Sequence, residues 1–314
     1  MSRTNEMTQA QPKQQVQQKP KFSVAITTDG YQKLVRNTLG DPERAKRFIA
    51  SITSAVAVNP ALQECDAGTI LAGALLGESL GLSPSPQLGQ YYLVPFKQKE
   101  KKDRMGKLIC PEMTKATFVL GYKGYLQMAL KSGSYSDIDV LVIREGEYQG
   151  RDKMTGKHLF SFIEDDDARE TLPVIGYMAY FEYLNGFKKT LYWSKKKMLS
   201  HADQYSPAFS ASAYNKIQNH EIPDSEMWKY SSFWYKDFDG MAKKTMLRQL
   251  ISKWGIMSTE LIRAMDSDGS MSEIANGDIV TTPEADIPVE APENIFQDAQ
   301  AAGNEVEVID IDAV

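Results

Sequence analysis

Two alternating runs rich in β-forming residues, 174–184 and 187–193, are separated by Asn185-Gly186. An Asn-Gly pair between such runs is the strongest short-range hairpin signal, because both residue types tolerate positive φ. The middle of the chain is therefore expected to be antiparallel. Further strand patterns lie at 90–96, at 115–122 and at 138–144, the last reading IDVLVIR.

Helical signals surround these strands. Asp41-Pro42 offers a side-chain acceptor at the N-cap and a proline at the first helical position, where its missing N–H costs nothing. Ala45, Phe48, Ile49, Ile52, Ala55 and Val56 follow at helical spacing. Asp66 is placed to cap a helix with Ile70, Leu71, Ala74 and Leu75 inward. A helix is expected over 123–131, ended by Gly133, and Ser194 is placed to cap another. A longer one is expected over 236–254, stopped by Gly255. The fold class expected is α+β: a mostly antiparallel or mixed sheet of about five strands with a central β-hairpin, flanked by N-terminal helices and a long C-terminal helix.

Residues 1–22 are rich in Gln, Lys and Pro and cannot bury enough apolar surface to offset their ordering entropy. They read as a disordered arm, residues 23–265 as a single core, and residues 266–314 as a largely disordered acidic tail. Charge divides along the same line. From residue 264 onward there are 13 acidic residues and no Lys or Arg. All 36 basic residues and 28 of the 41 acidic ones lie before it, so the body carries a net +8 beneath an overall −5. A basic body suits a polyanionic partner.

Several chemistries are excluded. No stretch is long and apolar enough to span a membrane, and the N-terminus lacks the apolar core of a signal peptide, so a cytoplasmic location is expected. Two cysteines, Cys65 and Cys110, make no disulfide framework or Cys-rich zinc site. The three histidines have no metal-binding spacing. The segment Gly150 to His158 resembles a phosphate-cradling loop but has one residue too many between its glycines, and His where a hydroxyl is needed. Glu164-Asp165-Asp166-Asp167 is compatible with a Mg²⁺ site for phosphodiester chemistry, but reads more simply as a solvated loop.

What is present is aromatic and basic. Between Tyr177 and Phe238 stand 16 of the 31 aromatic residues, interleaved with Lys188, Lys189, Lys195, Lys196, Lys197, Lys229 and Lys236. Rings that stack on bases and cations that meet phosphates hold single-stranded nucleic acid in this way; many of the same rings are equally suited to fill a core. Gly121-Tyr122-Lys123-Gly124-Tyr125 sets a cation between two aromatics at a strand–helix junction, where glycines admit close approach and a helix N-terminus favours phosphate. A tight turn with a surface lysine is the other reading. In the 236–254 helix, Leu247, Leu250, Ile251 and Trp254 define an inner face. Lys244 and Arg248 flank it, and Lys243 points along it, so that either an acid pairs with Lys243 or that end of the helix faces a groove.

The chain resembles the RecT family of phage single-strand annealing proteins over about residues 30–265. The likeness is carried by Leu93-Val94-Pro95-Phe96, by the Gly121–Tyr125 segment, by Ile143-Arg144-Glu145-Gly146-Glu147, by residues 180–193, and above all by residues 241–255, MAKKTMLRQLISKWG. One departure is KQKEKKDRMGK at 97–107, longer and more basic than this region usually is: a mobile hairpin tip touching DNA, or a solvated loop. The resemblance implies an ATP-independent protein that coats single-stranded DNA, pairs it with a complementary strand, assembles as rings or helical filaments, and works beside a phage exonuclease. The DNA-binding set expected from residues and resemblance together is Tyr122, Lys123, Tyr125, Arg144, Lys195, Lys196, Lys236, Lys243, Lys244, Arg248 and Lys253. No catalytic residue and no metal site are expected. No cofactor is expected to be required, ATP included, and Mg²⁺ would act only as a modulator. The partners expected are single-stranded and annealed duplex DNA, further copies of the chain, the exonuclease and, through the C-terminal region, a host single-strand-binding protein; no membrane is expected. The setting is the cytoplasm of a bacterial host, at the nucleoid. A protective coat without annealing activity is the alternative, and a structural phage protein or a metal-dependent nuclease are more distant ones.

Overall fold

The computed structural model describes residues 20–275 and 278–282, apart from 104, 107 and 111. Four helices lead: α1 (Phe22–Ala25), α2 (Asp29–Leu39), α3 (Pro42–Ala57) and, after a 3-10 turn, α4 (Ala67–Ser79). The cap residues act as the sequence suggests, Asp41 accepting from the Glu43 N–H and Asp66 from the Gly68 N–H. Helix α4 is buried on every side from Ala67 to Gly77, as its all-apolar circumference requires. Its glycines let a strand lie close: a Cβ at Gly77 would strike the Tyr91 ring, and one at Gly73 would come within 2.8 Å of Leu93 Cδ2.

That strand is β1 (Tyr91–Gln98). It is followed by β2 (Lys101–Lys102), β3 (Leu108–Cys110), β4 (Met113–Leu120) and α5 (Tyr122–Lys131). Next come β5 (Tyr135–Arg144), β6 (Tyr148–Arg151), β7 (His158–Phe160), α6 (Asp166–Thr171), β8 (Val174–Tyr183) and β9 (Lys188–Ser194). The remainder is α7 (Lys195–Tyr205), α8 (Ala211–Gln218), a 3-10 turn Asp224–Lys229, α9 (Phe233–Lys236), α10 (Phe238–Trp254), α11 (Thr259–Ser267), β10 (Ser270–Ala275) and β11 (Asp278–Thr282).

The class is α+β with antiparallel pairing. The strands divide between a sheet ordered β1-β4-β10-β11 and a sheet ordered β5-β8-β9, with β2-β3 and β6-β7 as small ribbons. One core cluster runs through the helices and both larger sheets, with Phe118, Tyr125, Phe181, Leu250 and Ile251 all fully buried.

Several boundaries differ from expectation, each for a local reason. Strand β4 stops at Leu120 because Gly121 turns the chain and Tyr122 opens α5. The expected 236–254 helix breaks at Asp237, whose carboxylate caps α10 by accepting from the Gly240 N–H at 2.9 Å. Helix α10 is not the last element, since α11, β10 and β11 follow it. The boundary drawn at residue 265 falls inside α11, and Ser270 and Met271 pair with Phe118 and Thr117 of β4. At the other end, Phe22 is 2% exposed and belongs to the core rather than the arm. Residues 1–19 and 283–314, which hold the rest of the arm and tail, lie outside the described residues. The β8–β9 hairpin turns through three residues, with Gly186 N–H donating to Tyr183 O and only Gly186 at positive φ; it is a bulged turn, not the two-residue form. The acidic run is not a plain loop, for Asp165 caps α6 by accepting from the Ala168 N–H.

The Ile143–Glu147 motif is a structural knot. Glu147 is fully buried. It accepts from Arg169 Nε at 2.5 Å and from the Arg144 N–H at 2.7 Å. Burial alone would raise its pKa, but these hydrogen bonds and the Arg169 charge hold it below the ordinary carboxylate value. A carboxylate with a lowered folded pKa stabilises above its unfolded pKa, and that contribution is lost as pH falls through the folded one. Glu147→Gln should therefore flatten the acid limb of a stability–pH curve measured by denaturant titration. Glu147→Ala, which leaves Arg169 without its partner, should cost about 3–5 kcal/mol.

Candidate nucleic-acid interface

The glycines of the Gly121–Tyr125 segment serve the protein's own backbone. A Cβ at Gly121 would strike Gly89 O, and one at Gly124 would strike Gln90 O. The Gly121 N–H donates to Gln90 O at 2.9 Å. The loop before β1 is thus pressed onto the first turn of α5, and this contact gathers side chains from four elements.

Tyr122 and Lys123 begin α5, half-buried and exposed respectively. Tyr92 of β1 lies across from them, with Gly89 between: a Cβ there would sit 2.9 Å from Tyr92 Oη and 3.4 Å from Lys123 Cδ. The Phe233 ring of α9 is 6.3 Å from that of Tyr92 and is 40% exposed. Lys236 Nζ stands 5.9 Å over Phe233, and Lys243 Nζ of α10 stands 5.5 Å over Tyr122. Three rings and three ammonium groups therefore form one surface. Burial, then the Asp237 charge, pushes the Tyr92 and Tyr122 phenols above their ordinary value. Both stay protonated and able to donate. The sequence reading missed Tyr92 and Phe233. Alternation in β1 was the available signal for the first, since Tyr91 points inward at 1% exposure and its neighbour must point out.

Other candidates are engaged elsewhere. Tyr125 is fully buried, its hydroxyl 3.4 Å from Asp268 Oδ2, so it presents no face for stacking. Arg144 Nη1 donates to Glu170 O and Leu172 O, tying β5 to the end of α6. Lys244 Nζ lies 2.8 Å from Asp268 Oδ1 and Arg248 Nη1 3.6 Å from Asp268 Oδ2, with the two cationic side chains 14% and 16% exposed. The acid foreseen for Lys243 is thus met by its neighbour Lys244. Among the described residues no ion pair involves Lys243.

Lys195 and Lys196 lie in the first turn of α7, at the end of β9 opposite the Asn185-Gly186 turn. Cations there oppose the helix dipole, so they do not serve the helix; nothing among the described residues joins them to the Tyr122 surface. Lys253 sits in the last turn of α10, where a cation complements the dipole. Trp254, expected on the inner face of its helix, is 36% exposed with Lys189 Nζ 4.3 Å over its ring; Phe96 is half-buried. Of the 97–107 segment, Lys97 pairs with Glu112 at 2.7 Å. Among the described residues there is no cluster of His, Cys, Asp or Glu suited to a metal, and no helix long and apolar enough to cross a membrane.

The RecT family model matches residues 46–282, from α3 through β11. The chain belongs to the RecT family. Among RecT-like relatives, protein YqaK of Bacillus subtilis (strain 168) is 33% identical over 231 residues, which is 74% of this chain and 66% of that protein. Protein RecT of Escherichia coli (strain K12) is 26% identical over 230 residues, 71% of each chain. The chain thus spans just under two thirds of YqaK. The family match takes in β10 and β11, in accord with their place in the first sheet of this RecT-family fold.

The cations sort into two experimental classes. Lys244→Ala and Arg248→Ala should act on stability, since removing one partner of a buried pair costs about 3–5 kcal/mol; Asp268→Ala should do the same. Lys123→Ala and Lys243→Ala should leave the thermal midpoint within a degree or two and weaken binding of an oligonucleotide. Melting curves beside fluorescence anisotropy with a dT oligomer distinguish the classes.

Proposed function

We propose that this chain is a non-catalytic, ATP-independent annealing protein that binds single-stranded DNA and pairs it with its complement. The observation that supports the reading is the convergence of Tyr92, Tyr122 and Phe233 with Lys123, Lys236 and Lys243 on one surface. Ammonium groups bind the phosphates of the first strand, and ring faces take its bases at about 1–3 kcal/mol per stacked base. None of these contacts reads a base edge, so sequence is tested by Watson–Crick pairing with the incoming strand. A matched strand is retained because pairing and stacking add to the backbone contacts. Duplex formation is downhill, so no nucleotide hydrolysis is needed and no cofactor is required; Mg²⁺ acts as a modulator by screening phosphates.

The protein acts as an oligomer, ring or filament, in phage recombination within the bacterial cytoplasm, at the nucleoid. A phage exonuclease exposes the strand it coats, and the C-terminal region meets a host single-strand-binding protein. Annealing of two complementary oligonucleotides, followed by fluorescence quenching with and without ATP and Mg²⁺, tests this. Pairing should be faster than the spontaneous reaction and indifferent to ATP. A protein that binds the strand and leaves pairing no faster would be the passive coat instead. Combining Lys123→Ala, Lys236→Ala and Lys243→Ala should flatten the dependence of log affinity on log salt by about 0.7 per lost phosphate contact. Tyr92→Ala and Phe233→Ala should weaken binding with the salt slope unchanged.

A further inference from the structure

The turn of the β8–β9 hairpin and the exit of α10 meet at one end of the sheet ordered β5-β8-β9, where two tyrosines join them. The Tyr183 hydroxyl donates to Trp254 O at 2.7 Å, and the Ile256 N–H donates to the Tyr135 hydroxyl at 3.0 Å. The two phenol rings lie 5.0 Å apart and both residues are buried. On this floor stand four large apolar residues that the chain leaves in solvent: Leu184 is 72% exposed, Phe187 47%, Ile256 45% and Trp254 36%. Phe187 is held by its stack on Tyr183, with 5.8 Å between ring centres, and the Leu184 N–H donates to Ser134 O at 3.2 Å. Gly255 lets the chain leave α10 sharply, since a Cβ there would come within 2.6 Å of Ile251 O. The apolar face of α10 formed by Leu247, Leu250 and Ile251 thus runs one turn past the core of its own chain.

Charge and area decide what such a patch takes. The lysines of β9 beside it are engaged within the chain: Lys188 Nζ pairs with Glu182 Oε2 at 2.7 Å, and Lys189 Nζ stands over the Trp254 ring. The patch therefore offers aliphatic and aromatic faces, and suits protein better than phosphate. At about 200 Å² for a whole large side chain, the four exposed fractions amount to roughly 400 Å² of apolar surface. A contiguous patch of that size on a soluble chain marks an interaction site. One partner in a standard interface contributes about 800 Å², of which about 57% is apolar, so this patch supplies nearly the whole apolar share of one side. It also lies at the opposite end of α10 from Lys243, about 16 Å away along the helix axis. Covering it therefore leaves the Tyr122 surface open to a strand, as an assembly of identical DNA-binding copies requires.

We propose that Leu184, Phe187, Trp254 and Ile256 form the contact by which one copy of this chain seats on another. The inference rests on the reading of the chain as an oligomer and names the surface that builds the assembly. Sedimentation velocity of the full-length protein over a range of concentrations, alone and with a dT oligomer, tests it. The wild-type chain should sediment as an assembly. Leu184→Asp combined with Ile256→Asp should raise the concentration at which copies associate at least tenfold, with the circular dichroism spectrum unchanged. Should that pair fail to fold, Leu184→Asp alone, at the most exposed of the four positions, should raise it at least threefold. Leu184→Met, which keeps the apolar area, should assemble as the wild type does. A wild-type assembly that the Asp variants leave unchanged would overturn the proposal and leave the annealing reading standing. So would an Asp variant that loses affinity for the dT oligomer while its assembly holds, since the patch would then face the strand. A wild-type chain that stays monomeric at every concentration, with and without DNA, would overturn the proposal and the oligomeric reading together.

Discussion

The buried carboxylate of Asp268 holds the molecule's two halves in register. Its side chain is 4% exposed, a position where an unpaired charge would be costly. It is instead met by Lys244 and Arg248 of α10, by the Leu120 N–H at the end of β4, and by the Tyr125 hydroxyl of α5. Three elements distant in sequence are thereby pinned to one point. The next residue, Gly269, has φ +80°, a conformation other residues adopt with strain, and it turns the chain so that β10 can add to β4. Fixing α10 in this way also fixes Lys243, one residue before Lys244, over the Tyr122 ring. The surface geometry thus derives from an interior ion cluster.

Lys243 and Lys244 show how little residue type says about role. Adjacent helical residues point about 100° apart, while positions four apart share a face. Lys244 and Arg248 therefore reach the same acid together, and Lys243 is turned away toward Tyr122. The Gly121–Tyr125 segment divides in the same way: Tyr125 points into the core, Lys123 into solvent, and Tyr122 stands between them. A motif of uniformly basic or aromatic character can thus be half scaffold and half surface.

Local chemistry was legible wherever the determinant is local. The caps at Asp41, Asp66 and Ser194, the hairpin at Asn185-Gly186, and the inward face of Leu247, Leu250 and Ile251 all follow from neighbours within a turn or two. Partners far along the chain were not legible. Asp268 lies 24 residues from Lys244 and 148 from Leu120, and no spacing rule joins them; read alone, it belonged to an acidic tail. For the same reason β10 went unseen, because its place depends on a vacant edge of β4 and not on its own composition. The candidate interface was half legible. Lys123, Lys236 and Lys243 stood out by charge and Tyr92 was findable from the alternation in β1, whereas Phe233 joins the surface only through the packing of α9 against α10. The acceptors of Arg144, the carbonyls of Glu170 and Leu172, leave no mark in sequence.

The protonation state of the surface bears on how it would hold a strand. Tyr92 and Tyr122 lie near Asp237, and burial together with that charge keeps their phenols neutral well above physiological pH. The rings therefore add no negative charge where phosphate would approach, and each hydroxyl remains a donor. Asp237 itself is committed to capping α10 through the Gly240 N–H, which places its charge near the Tyr92 and Tyr122 phenols. A cationic surface tempered by nearby acids, Asp237 and Asp139, binds phosphate less tightly than the lysines alone would. For the annealing function proposed here that moderation is useful. A strand held too firmly by its backbone gains nothing from pairing, whereas one held loosely is retained chiefly when a complementary strand adds its own stacking and hydrogen bonds.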